Sequence, residues 1–172
     1  MSFLGFVRQD QPANARNTKG RMLALLFRLA NYASVNPLAG YLLLPYRVFY
    51  KVIVEYLMGI EVPYNLTVGR GLSIYHGQAL VIHKNTVIGS YCTLRQSVTI
   101  GNNGKSDGCP VIGDHVDIGA NVCIIGPITI GDHATIGAGS VVTKSIPPYA
   151  IAVGNPARLI RQQVPETDLV DD

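Results

Sequence analysis

The sequence of 172 residues has no tryptophan, three cysteines and only 15% charged residues, with a formal net charge of +3. So little charge beside 48% apolar residues excludes a disordered chain, which cannot bury enough apolar surface to collapse. Arg8, Arg16, Lys19, Arg21 and Arg28 are scattered and form no dense block, which argues against a dedicated nucleic-acid binder. Cys92, Cys109 and Cys123 make neither a CxxC pair nor an even disulfide set, so they are expected to be free thiols in a reducing compartment. The start MSFLGFVRQDQPANARN holds no apolar run of signal-peptide length, and the expected location is cytoplasmic. The length suits one domain, and eighteen glycines with ten prolines point to many turns.

Residues 1–60 read as a helical region. RMLALLFRLANYAS is a first helix, and Asn36-Pro37 breaks it. In the second, LAGYLLLPYRVFYKVIVEYLMGI, Pro45 lies near the start and Gly59 is the stop. Arg47, Lys51 and Glu55 are spaced by four and share one helical face. Three charges count against a membrane span. The expected role is an amphipathic helix packed on the rest of the protein, and the alternative is one resting on the inner face of a membrane.

From residue 61 the period changes to six. Stepping from Ile82 gives Ile88, Leu94, Ile100, Ser106, Ile112, Ile118, Ile124, Ile130, Ile136 and Val142, ten aliphatics in eleven places. Small or medium residues (Cys92, Val98, Val116, Val122, Ile128, Ala134, Ser140) stand two places earlier, and glycine follows at 89, 101, 113, 119, 131 and 137, where a tight corner is expected. This is the hexapeptide pattern of a parallel β-helix, whose coils bury their interiors only by stacking. An earlier register, Val68, Ile74, Leu80, slips by two, which predicts an irregularity at Leu80 to Ile82. Ser106, inside NNGKSDGCP, marks a loop leaving the coil. The units are thus 1–60, helical; 61–158, β-helix; and 159–172, a C-terminal tail.

The run from YHGQALVIHKNTVIG to AGSVVTKSIPPYAIAVGNPARLI resembles the hexapeptide-repeat acyltransferases, and most closely the exopolysaccharide (colanic acid type) acetyltransferases related to serine acetyltransferase. The resemblance extends back through LFRLANYASV and YRVFYKVIVEYLMGIEV. It implies a left-handed parallel β-helix behind a short helical region, a homotrimer, and acetyl-CoA in the groove between subunits. The implied activity is acetyl transfer from acetyl-CoA to a sugar hydroxyl in surface-polysaccharide synthesis, the acceptor being a sugar or lipid-linked glycan. The alternatives are a serine O-acetyltransferase of cysteine synthesis and a non-catalytic β-helix subunit.

By the same resemblance His76 is the catalytic base and Glu61 its orienting carboxylate, standing where related enzymes carry an Asp. Tyr75 and Cys109 occupy acceptor-side places held by Asp and His in the serine enzymes; losing that Asp removes a partner for an amino-acid ammonium and favours a neutral hydroxyl acceptor. Ala120 and Ala138 would meet the pantetheine arm, and Thr143, Lys144, Arg158 and Arg161 the adenine and phosphate end. His115 and His133, one coil apart, should stack on one edge; no metal is expected, since the metal-dependent members pair two histidines five residues apart. An acyl-enzyme on Cys109 is disfavoured because the sequence offers it no base.

Overall fold

A computed structural model describes residues 2–162; the rest of the 159–172 tail lies outside the described residues. Thirteen short strands, mostly two residues long, run from β1 (Thr67–Val68) to β13 (Ala150–Gly154). They wind into three parallel sheets. The first contains β1, β4 (Val87–Ile88), β7 (Val111–Ile112) and β10 (Thr129–Ile130). On the second face are β2 (Ser73–Ile74), β5 (Thr93–Leu94), β8 (Asp117–Ile118), β11 (Thr135–Ile136) and β13. The third face carries β3 (Val81–Ile82), β6 (Thr99–Gly101), β9 (Cys123–Ile125) and β12 (Val141–Val142). The chain visits the three faces in turn, which is a parallel β-helix.

The rungs account for the core. Ile88, Leu94, Ile100, Ile112, Ile118, Ile124, Ile130, Ile136 and Val142 are each at most 1% exposed, and the small set from Cys92 to Ser140 is buried beside them. Ser106 belongs to an exposed excursion between β6 and β7. Those strands lie on successive faces, so the excursion adds six residues to one corner. An insertion equal to the period leaves the sequence pattern in step.

The glycines have a different cause from the expected one. Gly89, Gly113, Gly119 and Gly131 are absent from the left-handed residues; that conformation is taken by Tyr91, Asn121, His115 and His133, with φ between +56° and +58°. A Cβ on Gly119 would lie 2.5 Å from the Ala138 nitrogen, and one on Gly89 2.5 Å from the Gly113 carbonyl oxygen. Close approach of the next coil, and no demand for positive φ, selects glycine there.

Helix α1 (Phe3–Arg8) and a 3₁₀ turn (Pro12–Asn14) lead into α2 (Thr18–Val35), which lies on the first coil. That coil has no strand below it, and side chains serve its open edge. The buried Arg28–Asp10 pair (2.6 Å) donates from Arg28 to the carbonyls of Val68 and Gly69, while Asp10 Oδ1 accepts from the Leu72 N–H at 3.0 Å. Asn14 donates to Leu72 O, Asn17 to Ile74 O, and Asn31 to Tyr64 O and Leu66 O. An uncovered edge would template aggregation.

The second expected helix is broken into α3 (Pro37–Leu42), α4 (Leu44–Tyr50) and a π-helical turn at Lys51–Leu57. Asn36 caps α3 through Ala39 N–H, Pro45 falls in the first turn of α4, and Gly59 (φ +62°) follows the end. Tyr50 and Val54 are buried, but Leu38, Tyr41, Leu42, Val48, Tyr56 and Leu57 are all more than half exposed. The segment is apolar nearly all round, and a single chain covers only one stripe of it, so the expected packing is met on that stripe alone. None of the described helices is long and apolar enough to cross a membrane.

β14 (Ala157–Gln162) turns back antiparallel to β13, with Arg158 opposite Val153 and Arg161 opposite Ile151. Residues 159–162, grouped with the tail in the sequence reading, belong to this strand.

Candidate active site

Eight residues separate the rung Ile74 from Ile82, where six separate the others except across the Ser106 excursion. The structure puts the two extra residues in the corner between β2 and β3, and not at Leu80 to Ile82 as expected. Leu80 is fully buried, in the small-residue place of its rung. His76 (φ +67°), Gly77 (φ +76°) and Ala79 (φ +53°) all turn left-handed, and the corner is closed by Gly77 N–H to Tyr75 O at 2.8 Å. A non-glycine residue held there costs about 1–3 kcal/mol and persists only where its surroundings fix it. They do: Leu23 of α2 and Ile60 pack behind Gly77, and Asn17 grips Ile74 O at 2.7 Å. The His76 side chain is thereby left exposed on an enlarged corner.

A cavity of about 470 Å³ opens beside it, lined by Tyr75, His76, Thr93, Arg95, Gln96 and Ala120. The corners above are tied to it in sequence: Ser97 N–H donates to Gln78 O, Asn121 N–H to Gln96 O and Gly139 N–H to Ala120 O, at 2.8–3.1 Å. His76, Ala120 and Ala138 therefore lie along one edge of the β-helix. Tyr75, His76 and Ala120 share the cavity, three of the ten residues marked in the sequence.

Ala138 follows on the same edge, and the other six stand apart in a single chain. Thr143 and Lys144 follow β12, Cys109 lies in the excursion after β6, and His83 follows β3, so these four belong to the next edge. Arg158 and Arg161 are exposed on β14 at the far end of the second sheet. Glu61 bridges Val81 and accepts from Ile82 N–H at 2.8 Å through its backbone. Its side chain shares a hollow with Lys51, Glu55 and Tyr56, and among the described residues no hydrogen bond joins it to His76. Burial first, then the nearby Glu61, raises the Glu55 carboxyl above its ordinary range, although Lys51 pulls it down.

Cys109 does have a base beside it, contrary to the sequence expectation. Its Sγ is 3.0 Å from His83 Nδ1, which also receives the Asn85 N–H at 3.2 Å. An acceptor of that N–H carries no proton, so the thiol donates. Desolvation and then Asp107 push the thiol up, which keeps it protonated and ties the excursion to the coil below. Cys92 is buried at its inward place, its thiol pushed up to about 11 by burial.

On a separate edge, Tyr91, His115, His133 and Tyr149 form a continuous ring stack with centroids 4.7–4.9 Å apart. The two histidines stack as expected. Among the described residues no group of three His, Cys, Asp or Glu is placed to hold a metal.

The sequence reading missed Arg95, on the cavity wall. Its Nη1 donates to Asp117 and to Ile118 O, and its guanidinium lies over the Tyr75 ring at 5.9 Å.

Residues 111–144 match the family model for the hexapeptide repeat of succinyl-transferase. A protein named as the colanic acid biosynthesis acetyltransferase WcaB of Escherichia coli K12 is 42% identical over 156 residues, covering 88% of this chain and 96% of that one. Serine acetyltransferase 3 of Arabidopsis thaliana is 47% identical over 95 residues, but these are 54% of this chain and 24% of the plant protein. Among solved structures, Brucella abortus serine acetyltransferase in complex with coenzyme A superposes with a TM-score of 0.80 at 25% identity, covering 94% of this chain and 69% of its own. Repeat, fold and near-complete coverage of the Escherichia coli relative agree, and the chain belongs to the hexapeptide-repeat acetyltransferases.

Proposed function

We propose that the protein transfers the acetyl group of acetyl-CoA to a sugar hydroxyl during assembly of a surface polysaccharide. The observation that carries this is the exposed imidazole of His76 on the wall of a cavity shared with Ala120 of the ascending seam. Acetyl-CoA supplies an activated thioester. His76 accepts the proton of the sugar hydroxyl as its oxygen attacks the acyl carbon; the C–S bond then breaks, and the proton passes from His76 to the departing thiolate, releasing coenzyme A and the acetylated sugar. The donor would lie along the seam, its pantetheine amides bonded by the backbone at Ala120 and Ala138. Support for a polysaccharide comes from the relative named for colanic acid biosynthesis, matched almost end to end; the plant serine enzyme is matched over about a quarter of its length.

The division of the marked residues between two edges supports a homotrimer. A second copy laying its Cys109–Lys144 edge against the His76–Ala120 edge would assemble in one groove what one chain keeps apart. Thr143, Lys144, Arg158 and Arg161 would then meet the adenine and phosphate end. Glu61 is assigned the orienting of His76, its backbone already holding the strand after the catalytic corner. The exposed apolar surface of α3 and α4, with Lys51 on its flank, is where contact with the inner face of the membrane would bring a cytoplasmic enzyme to a lipid-linked acceptor; vesicle flotation tests it.

The base is tested with His76→Ala. Acceptor-dependent thiol release from acetyl-CoA should fall roughly 10²–10⁴-fold. Unchanged turnover would refute the mechanism.

A further inference from the structure

The cavity that holds His76 also carries polar groups that no catalytic role accounts for. Arg95 is held by Asp117 through both carboxylate oxygens and by the Ile118 carbonyl oxygen at 3.0 Å. A guanidinium has five N–H donors. Both on Nη1 and one on Nη2 are used in this way, so Nε–H and the second Nη2–H have no partner among the described residues. The two side chains are 34% and 46% exposed. A surface pair of that kind is worth at most about 1 kcal/mol to the fold, so stability gives no reason for so fixed a fork at this place. The guanidinium lies over the Tyr75 ring at 5.9 Å from its centroid, and Tyr75 is 39% exposed.

We propose that Arg95, fixed by Asp117 and standing over Tyr75, is the acceptor subsite, and that it takes two adjacent hydroxyls of an uncharged sugar residue. This rests on the sugar reading above. Two unspent donors in one plane match two neighbouring oxygens. The choice of hydroxyls over other oxygens follows from the charge. Asp117 already balances Arg95, so a carboxylate or phosphate gains little net attraction there. The ammonium of a free amino acid meets a guanidinium on the cavity wall, with no unpaired carboxylate in the cavity lining among the described residues. Tyr75 supplies apolar surface for the C–H face of a sugar ring, and because the same cavity holds His76, a ring seated this way presents a further hydroxyl to the base.

The test uses the full-length protein with methyl glycosides of neutral hexoses, methyl glucuronide and free serine as acceptors, following thiol release from acetyl-CoA. Arg95→Met keeps the stem and removes the fork. It should raise KM for the neutral glycosides roughly ten- to hundredfold, with acetyl-CoA affinity by calorimetry within about twofold. Arg95→Lys restores charge without the fork and should not recover KM; Asp117→Asn, which frees the fork, should raise it as well. An acceptor KM unmoved by Arg95→Met overturns the subsite, as does wild-type preference for the glucuronide over neutral glycosides. Wild-type turnover of serine with none of the glycosides overturns the sugar reading itself, and shows before any variant is made.

Discussion

Replacing Asp10 by Ala would strand a guanidinium in the interior. Asp10 and Arg28 are 0% and 1% exposed, bonded at 2.6 and 3.1 Å, and Asp10 Oδ1 also accepts the Leu72 N–H at 3.0 Å. Removing one partner of a buried pair costs about 3–5 kcal/mol, because the remaining charge is left without compensation. The orphaned amide adds to this rather than softening it. Urea unfolding at fixed protein concentration should show the loss as a lower midpoint with the slope kept. Hydrogen exchange at Leu72 should speed up about a hundredfold, the equivalent of roughly 3 kcal/mol. The double variant Asp10→Leu with Arg28→Met should recover more than half of the loss, since an apolar pair of similar volume is often neutral. A loss below about 1 kcal/mol for Asp10→Ala, the range of an exposed pair, would refute the argument that this pair seals the first coil.

Glu61→Gln separates orientation from scaffolding: a kcat reduced tenfold or more with an unchanged melting temperature supports the orienting role, and an unchanged kcat ends it. Gly119→Ala puts a Cβ 2.5 Å from the Ala138 nitrogen; overpacking of this kind costs about 1–3 kcal/mol, and KM for acetyl-CoA should rise with it because Ala138 shifts. Glu55 titrates above its ordinary 4.5 in the folded state, so the folded protein binds that proton more tightly and stability falls as pH rises from 4.5 through the raised value. Glu55→Gln should therefore raise the melting temperature at neutral pH, with the gain vanishing below pH 4.5; no gain at pH 7 counts against the sign. Cys109, its thiol pushed up and donating to His83, should react with iodoacetamide more slowly at pH 7 than a free thiol does, and His83→Ala should loosen the excursion it holds.

Period and chemistry were unequally visible in the sequence. The rungs could be read because each coil repeats the same inward demand every six residues, and even the excursion around Ser106 left that count intact. The glycines were found for the wrong reason: spacing shows where small residues recur, whereas only the stacked coil above shows what a Cβ would strike. The broken segment from Pro37 to Leu57 defeated the helical pattern because nearly every face is apolar, leaving charge spacing as the only guide. His76 and Ala120 could be marked from the family pattern. Arg95 could not, because its partner lies 22 residues away and their meeting depends on the length of the intervening excursion. The cap built from Asp10, Asn14, Asn17, Arg28 and Asn31 was equally hidden, since polar residues seen singly give no sign that together they serve the open edge of the first coil.

The column formed by Tyr91, His115, His133 and Tyr149 works as a ruler, because each ring reports the rise of one storey against its neighbour. A duplicated eighteen-residue block cut at equivalent points, such as 114 to 131, would bring its own ring and slot into the pile without disturbing either end. Chains of different height could be spliced from this one in whole storeys, and a cut made out of step would betray itself as a gap in the column.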